Sequence, residues 1–549
     1  MTGSRVLLEL DLTEPPLEAP PADPLGYLQA RRRPTLRGVV DALRDAAADD
    51  RVAGLVARVG GARLGLARAQ ELRAAVRGFA ASGKPAVAWA ETFGEGGPGT
   101  VPYLLATGFG QIWLQPSGDL GLTGVVVEAT FLRGALDKVG LEPQLAQRHE
   151  YKNAVDQLTR HGFTDAYREA AARLAASAAE QVVAAVAEAR GLTEERVREL
   201  VDRAPLSARE AADAGLVDRV GYRDEVYADV RRRVGDAELL FLARYRKATG
   251  PARLLGTVRR RRRKVVAQVT VAGAIQPGRS RRTPLAPGPG AGSDTVTAAL
   301  RAAGRDDSVG AVVLRVDSPG GSYVASDSIW REVTRLRAGG KPVVASMGDV
   351  AASGGYYVAM AADAIVAQPG TLTGSIGVFS GKVVTAGLLE RLGVGTDAVV
   401  EGRQARMFSS RVGFDAEQWQ RLEEWLDRVY ADFVGKVAQA RSLSRERAHE
   451  LARGRVWTGA DAYERGLVDE LGGLDRAAQL ARQRAGLPAD AEVRRWPPLR
   501  PADRLSPPRS SEHPAAANAH AGWGALADVA ARLGLPPAGP LTMPPLTLR

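Results

Sequence analysis

Cysteine is absent from this 549-residue chain, and only five histidines are present. Without cysteine the protein can form neither disulfides nor thiolate metal sites, and it has no cysteine nucleophile. No two histidines have the spacing of a zinc-binding pair. Disulfide-stapled folds and thiol enzymes are therefore excluded.

Long apolar runs are absent as well. A membrane-spanning helix needs about 18 or more consecutive apolar residues, and no such run occurs. The opening stretch, MTGSRVLLELDLTEPP, is not a signal peptide, because its apolar run is short and contains Glu9 and Asp11. We therefore predict neither a transmembrane helix nor a signal peptide.

The charge balance is basic, with 74 Lys and Arg against 63 Asp and Glu and a net charge of +11. Much of the excess lies in three runs, Arg31–Arg33, Arg259–Lys264 and Arg279–Arg282. Such runs are typical of solvated segments, and they could contact anionic lipid headgroups at about 1 kcal/mol per basic residue. The arginines are not interleaved with aromatic residues and no recognition module appears, so no nucleic-acid partner is predicted.

An internal repeat decides the domain organisation. The stretch SAREAADAGLVDRVG (Ser207–Gly221) recurs as TGADAYERGLVDELG (Thr458–Gly472), and SGKPAVA (Ser82–Ala88) recurs as GGKPVVA (Gly339–Ala345). These pairs lie 251 and 257 positions apart, a drift that loop insertions produce. A period of this length indicates two tandem domains rather than a solenoid.

Within each copy, short apolar runs bounded by Gly, Pro or Asp alternate with helical segments. This pattern is typical of buried parallel strands in an α/β domain. We place the two domains at residues 1–245 and 265–485, joined by a basic linker at 246–264. The Pro/Ala-rich tail at 486–549 is predicted to be disordered, with a short helix possible over Trp523–Leu533.

One long helix can be read directly from the second copy. Asp415 and Gln418 have the spacing of a capping pair at a helix start. The apolar residues that follow recur every three or four positions: Trp419, Leu422, Leu426, Val429, Phe433 and Val437. We interpret this stripe as core packing with no catalytic role.

The stretch GDVAASGGYY (Gly348–Tyr357) allows two interpretations. It could be a tight strand-to-helix turn, or it could present Ser353 as a nucleophile at the head of a helix. At an offset of 253, Ser353 corresponds to Thr100 in the first copy. The DSPGGS motif (Asp317–Ser322) is likewise reduced to GGA around Gly60–Ala62. Only the second copy therefore carries an intact serine turn and glycine pair.

The first copy carries a lysine instead. Lys152, in HEYKNAVD, corresponds to a position near Arg403, and arginine cannot act as a base in a protein. A serine needs a neighbouring base, and the histidines are poorly placed for that role. To serve, the lysine pKa must fall from about 10.4 to near 7, which costs about 4 kcal/mol of desolvation or charge repulsion. A buried domain boundary could supply this, whereas an exposed loop could not.

Acyl transfer also needs donors for the oxyanion. The backbone N–H after Ser353, at a helix start, and the Gly320-Gly321 turn are candidates, because glycine lets a peptide approach closely.

Taken together, these stretches resemble the long, tandem-domain form of signal peptide peptidase A, a Ser–Lys peptidase of the ClpP/crotonase superfold. The matching motifs are DSPGGS, GDVAASGGYYVAMAADAIVAQPGTLTGSIGV, GRVWTGADAYERGLVDELGG and EYKNAVD. The resemblance implies two tandem ClpP/crotonase-like α/β domains. It also implies that Ser353 is the nucleophile, that Lys152 is the general base, and that Gly354 and Gly321 supply the oxyanion donors, with Gly320 shaping the turn.

The resemblance further implies an endopeptidase that cleaves signal-peptide remnants and other small apolar peptides through an acyl-enzyme, without metal or organic cofactor. It implies a homotetramer and a bacterial, membrane-associated protein. Long members of the family begin with a membrane anchor that this sequence does not show, so a cytoplasmic or peripheral membrane location is expected.

Two other functions stay open. A crotonase-type enzyme could use the same glycine turns to hold the oxyanion of an acyl thioester, although no acidic pair is positioned for its acid and base. A catalytically inactive scaffold is the third alternative, and the retention of both Ser353 and Lys152 argues against it.

Overall fold

A computed structural model of the chain describes residues 5–19, 33–61, 64–245, 264–282, 290–498, 520–521, 541–543 and 547–548. Nearly all of the predicted basic linker lies outside these residues, as does the helix predicted over Trp523–Leu533.

The first half is built on a parallel sheet of six strands. Its strands are continuous runs of Val, Leu and Ala, because helices cover both faces of the sheet. In spatial order the strands are Glu238–Phe241, Val6–Asp11, Val52–Arg58, Ala86–Ala90, Gln111–Leu114 and Arg219–Val220.

The second half repeats this order within an eight-stranded sheet. The equivalent strands are Val493–Arg495, Val265–Ala272, Val309–Ser318, Val343–Ala352, Ala364–Ala367 and Glu470–Leu471. Leu372–Gly374 and Val456–Thr458 extend the sheet past the end of Val343–Ala352. The shared strand order confirms the prediction of two related α/β domains. The strand at Val493–Arg495 belongs to the second sheet, so that sheet extends beyond the domain boundary predicted at residue 485.

The helices also occupy equivalent positions in the two halves. They are Leu36–Ala47 and Ser293–Arg305, Leu66–Ala80 and Tyr323–Ala338, Thr100–Ala106 and Gly354–Ala359, Arg133–Val139 and Ala386–Arg391, Asp165–Arg190 and Ala416–Arg441, Glu194–Arg203 and Arg445–Leu451, Ala208–Asp213 and Gly459–Glu464, and Arg223–Val234 and Leu474–Arg484. The short helix Asp156–Thr159 follows the lysine segment of the first half. The remaining short strands are Asp119–Leu120, Val127–Glu128, Glu142–Gln147, Leu206–Ser207, Ile275–Gln276, Arg281–Arg282, Ala291–Gly292, Gly320–Gly321, Phe379–Val384, His520–Ala521, Leu541–Thr542 and Thr547–Leu548.

Repeated side-chain contacts support the duplication. Lys84 donates to the carbonyls of Ala46 and Asp49, and Lys341 donates in the same way to those of Ala303 and Asp306. Each lysine precedes a strand and ties the start of that strand to the end of a helix earlier in the chain, so the Lys-Pro pairs Lys84-Pro85 and Lys341-Pro342 have one structural role.

The predicted long helix of the second half is confirmed. Asp415 and Gln418 form a reciprocal capping box at the start of Ala416–Arg441. The predicted stripe is buried in the core of that half from Leu422 to Val437, whereas its first residue, Trp419, is only partly buried against that core.

In the described part of the chain, one helix, Asp165–Arg190, has the length and hydropathy of a membrane span. Half of its most apolar 18-residue window is buried inside the protein. Val182 and Val186 from this helix pack in the core of the first half, as expected for a core helix of a folded domain.

Candidate active site at the boundary between the halves

Ser353 lies at the point where a long central strand meets a helix. The strand Val343–Ala352 has ten residues, whereas its counterpart Ala86–Ala90 has five. Ser353 follows it with φ 54° and ψ −113° and caps the helix Gly354–Ala359. Positive φ is unfavourable for a residue with a Cβ, so the surrounding structure must hold this turn in place. The Ser353 N–H donates to the Gly374 carbonyl at 2.7 Å, which provides part of that restraint.

Lys152 reaches the serine because strands from the two halves pair with each other. Glu142–Gln147 of the first half runs antiparallel to Phe379–Val384 of the second. Beyond the paired residues, the Arg148 N–H donates to the Val378 carbonyl at 2.9 Å, and the Tyr151 N–H donates to the Arg453 carbonyl at 3.1 Å. The stretch that leads into Lys152 is thereby fixed to the second half at two points.

The structure brings the two predicted residues into direct contact. Lys152 Nζ lies 2.8 Å from Ser353 Oγ, and both side chains are fully buried. Lys152 Nζ also lies 3.0 Å from both the hydroxyl oxygen and the carbonyl oxygen of Ser375. Burial lowers the pKa of the Lys152 ammonium well below its ordinary value. A lysine in this environment can be neutral near pH 7 and can accept a proton.

Sequence reasoning missed Ser375. It lies in LTGSIGV with φ 51°, directly after the strand Leu372–Gly374. The repeat contained a signal for it, because the first copy has Val125 where the second has Ser375 after the shared LTG. Ser375, like Ser353 and Lys152, is a polar residue that only one of the two copies carries.

Two glycines leave room for the lysine. A Cβ on Gly454, which has φ +84°, would lie 2.6 Å from Lys152 Cα, and a Cβ on Gly377 would lie 3.1 Å from Lys152 Cδ. The close approach of the Gly454 backbone therefore requires glycine.

The three glycines predicted for the oxyanion site lie together. A Cβ on Gly320 would be 2.6 Å from the Gly354 nitrogen, and one on Gly354 would be 3.1 Å from the Gly321 nitrogen. Gly320 and Gly321 have φ of +102° and +153°. The Gly320 N–H is already donated to Ser318 Oγ at 3.1 Å, so its part is to shape the turn.

Two histidines, His149 and His449, pack together beside Tyr430. The ring of His149 packs against Tyr430 and His449, with ring centroids 4.4 and 4.8 Å apart, respectively. Among the residues that the structure describes, no group of three or more His, Asp or Glu side chains is placed to hold a metal ion.

A buried ionic network joins the halves behind the serine turn. Arg315, fully buried, donates to Glu18 at 2.6 Å and to Glu71 at 2.9 Å. Burial raises the pKa of Glu18, but the charge and hydrogen bond of Arg315, together with the charge of Arg68, outweigh it and lower that pKa below its usual value. The anionic form of Glu18 is therefore the stable one in the folded protein.

A second part of the network reaches the motifs that contain the catalytic candidates. Arg68 of the first half pairs with Asp317 of DSPGGS and with Asp349, four residues before Ser353. Desolvation raises the pKa of Asp349 to about 6, with Asp317 adding to the effect and Arg68 opposing it. Sequence reasoning found none of these partners, because they lie far apart in the chain.

Comparisons with known proteins identify the family of the chain. A model of Peptidase family S49 matches the chain twice, over residues 78–235 and 335–488. The two matches fall on the two halves, and the second contains Ser353.

Curated relatives align with most of the chain. It is 34% identical over 452 residues to Serine protease SPPA, chloroplastic, of Arabidopsis thaliana, an alignment that covers 82% of this chain and 65% of the relative. It is 33% identical to Protease 4 of Salmonella typhi, with 74% and 66% covered, and 31% identical to Protease 4 of Haemophilus influenzae, with 76% and 68% covered. The alignments thus span just under two thirds of the first two relatives.

Proposed function

Because the chain belongs to Peptidase family S49, a family of serine peptidases, we propose that it hydrolyses peptide bonds with a Ser353–Lys152 dyad. The observation that carries the proposal is the 2.8 Å separation of Lys152 Nζ and Ser353 Oγ at a fully buried boundary between the halves. A serine and a lysine from different halves have no structural need to meet, and burying a lysine costs stability, so their contact at this boundary favours a functional role.

The amine is oriented for proton transfer. A neutral lysine has two N–H donors and one lone pair. The carbonyl and hydroxyl oxygens of Ser375 accept both N–H groups at 3.0 Å. The lone pair is then directed at Ser353, where it accepts the hydroxyl proton as Oγ attacks the substrate carbonyl carbon.

The glycine turns take the charge that develops in this step. The N–H groups of Gly354 and Gly321 stabilise the oxyanion of the tetrahedral intermediate. When the intermediate collapses, the C–N bond breaks and the leaving amine takes the proton from Lys152. A water molecule then gives a proton to Lys152 as its oxygen attacks the acyl-serine carbonyl carbon. When the second tetrahedral intermediate collapses, the C–O bond to Ser353 breaks, Lys152 gives the proton to Ser353 Oγ, and the carboxylic acid is released.

The substrates proposed are signal-peptide remnants and other small apolar peptides in extended form, in keeping with the relative named signal peptide peptidase SppA. We also propose that the protein forms a homotetramer and that its basic runs contact anionic membrane surfaces.

The test compares purified wild-type protein with Ser353→Ala, Lys152→Ala and a control, Lys84→Ala, on casein and on acyl-CoA thioesters. We expect casein hydrolysis by wild type and by Lys84→Ala, and none by the two dyad variants. A fluorophosphonate probe should label Ser353 only when Lys152 is present. Thioester turnover without casein hydrolysis would favour a crotonase-type enzyme, and absence of both activities and of labelling would favour a scaffold.

A further inference from the structure

The two strands that lead into the active-site turns lose their regular pairing shortly before Ser353. Where Val309–Ser318 pairs with Val343–Ala352, the three residues Gly348–Val350 lie opposite Asp317 alone. A bulge of this kind bends a strand and re-aims the side chains that follow it. Ser353 comes three residues after the bulge, so the shape of the bulge sets where the nucleophile points.

At the bulge, side chains replace part of the strand ladder. Asp317 Oδ1 accepts the Val350 N–H at 3.2 Å. Its other oxygen, Oδ2, accepts from Arg68 of the first half at 2.5 Å, and Arg68 Nε lies 2.9 Å from Asp349 Oδ2. One guanidinium therefore holds a carboxylate on each of the two strands. Without it, two negative charges would face each other in a mostly buried site.

Asp349 also caps the helix that carries Arg68. The backbone N–H of Arg68, in the first turn of Leu66–Ala80, donates to Asp349 Oδ1 at 2.9 Å. The N-cap residue of this helix is Gly65, which has no side chain to accept that N–H. A Cβ on Gly65 would lie 2.2 Å from the Asp349 carboxyl carbon. A carboxylate of the second half thus occupies the place of the missing cap.

The repeat shows that these groups are divided between the copies as the dyad is. In the second copy, Ser322 corresponds to Gly65 and caps its own helix by accepting the Ala325 N–H. The first copy has lost this cap and depends on the other half. At the same offset of 257, the counterparts of Arg68, Asp317 and Asp349 are Ala325, Gly60 and Thr92.

We propose that Arg68 is a positioning residue of the peptidase, because it holds the bulge before Ser353 and the strand before Gly320-Gly321 in the relative position that catalysis needs. The inference rests on the proposed function. Arg68 acts through Asp317 and Asp349 and touches no reacting atom. The first half thus supplies the active site with a base and, separately, with the residue that aligns the nucleophile and the oxyanion donors.

The contact depends on the charge of Asp349. The charged groups that face it are Arg68, Asp317 and Glu18, and burial together with the other two carboxylates raises its pKa to about 6 despite Arg68. Above that pH the carboxylate is charged and attracts Arg68, and below it the attraction is lost. The kcat ratio of wild type to Asp349→Asn should therefore shrink toward one at lower pH, because the titration of Lys152 cancels in the ratio. A ratio that stays constant with pH would overturn the proposed role of Asp349.

The main experiment measures kcat and KM on a fluorogenic peptide for wild type, Arg68→Met, Arg68→Lys and Arg37→Met. Arg37 is the matched control, because it also pairs with a residue of the other half, Asp475. A displacement of about 1 Å costs on the order of 100-fold, so we expect kcat to fall at least about tenfold in Arg68→Met with little change in KM. Arg68→Lys should lose less, because it keeps the charge but not the fork. The control should keep its kcat, and full kcat in Arg68→Met would overturn the proposal.

A pair of glycine variants tests the same contact with every charge retained, in case Arg68→Met does not fold. In Gly65→Ala the new Cβ displaces the Asp349 carboxylate. Gly78→Ala is the control, because Gly78 lies in the same helix and a Cβ there meets no atom within 4 Å. We expect kcat to fall in Gly65→Ala alone. Equal kcat values in the two variants would overturn the proposal.

The rate of Ser353 labelling by a fluorophosphonate separates this inference from the proposed function, because labelling needs an aligned serine and no peptide. We expect Arg68→Met to slow labelling by the same factor as kcat. If wild type is labelled but hydrolyses no peptide, the peptidase is refuted, and slower labelling of Arg68→Met still supports this inference. If wild type hydrolyses peptides and Arg68→Met matches it in both rates, this inference alone is refuted. Absence of both labelling and hydrolysis in wild type would refute both.

Discussion

Lys152 and Ser375 are joined by two hydrogen bonds of 3.0 Å, one to the hydroxyl oxygen and one to the backbone carbonyl. The pair aims the lysine lone pair at Ser353, so Ser375 is a positioning residue in the proposed mechanism. Its positive φ of 51° turns its carbonyl and its side chain toward the same amine.

Removing one of the two bonds should misorient the base without affecting substrate binding. We expect Ser375→Ala to lower kcat about tenfold, equivalent to about 1.4 kcal/mol, with little change in KM. Steady-state kinetics on a peptide substrate test this, with Ser380→Ala on the neighbouring strand as the control. A change confined to KM would show that Ser375 contacts substrate instead.

The pH dependence of activity should follow Lys152. Because burial lowers its pKa in the folded protein, kcat/KM should rise with pH through that lowered value and level off well below pH 10. A pH–rate profile measures this. A profile that rises only near the ordinary lysine pKa of about 10.4 would contradict a buried, neutral base.

The same pKa shift predicts a pH-dependent stability. Between the lowered folded-state pKa and about 10.4, the unfolded chain binds one more proton at Lys152 than the folded chain, so wild type gains stability as pH rises, by up to about 1.4 kcal/mol per pH unit. Lys152→Met lacks this contribution. The Tm of wild type relative to Lys152→Met should therefore increase from pH 7 to pH 10, and a constant difference would refute the prediction.

Gly454 is expected to set the position of the lysine backbone. In Gly454→Ala the new Cβ would lie 2.6 Å from Lys152 Cα, so the lysine must move. A displacement of about 1 Å costs on the order of 100-fold in kcat. Gly486→Ala is the matched control, because Gly486 also has positive φ, at 61°, but faces open space. It should lose about 1 kcal/mol of stability and retain full kcat.

The buried network should account for part of the cohesion between the halves. Glu71→Ala removes one of two carboxylates from Arg315 and also leaves the Leu474 N–H without its acceptor. We expect a loss of about 3 kcal/mol, seen as a lower thermal midpoint. Glu91→Ala, which breaks the exposed pair with Arg58, should cost less than about 1 kcal/mol. Equal effects would show that the network contributes no more than a surface pair.

Much of the fold followed from the repeat. Comparing two copies within one chain showed which segments were strands, and it singled out Ser353 and Lys152 as residues kept in one copy only. The structure places these two in contact, and it confirms the capping pair Asp415 and Gln418.

The ionic contacts between the halves and the strands of the tail could not be predicted from the sequence. Glu18, Arg68 and Glu71 belong to the first half, yet their partners lie some 240 or more positions further along the chain, and only folding brings them together. Four short strands lie in the described parts of the tail at 486–549, and the sequence predicted none of them, because existing strand edges and not local propensity supply their hydrogen-bond partners.

The pairing of Glu142–Gln147 with Phe379–Val384 has a consequence for biosynthesis. In the proposed mechanism, a ribosome that has translated only the first half has made a domain with a base and no alcohol to activate. Hydrolysis would then begin only after the second sheet has folded against the lysine segment, so the order of translation would protect the nascent chain and its neighbours from digestion.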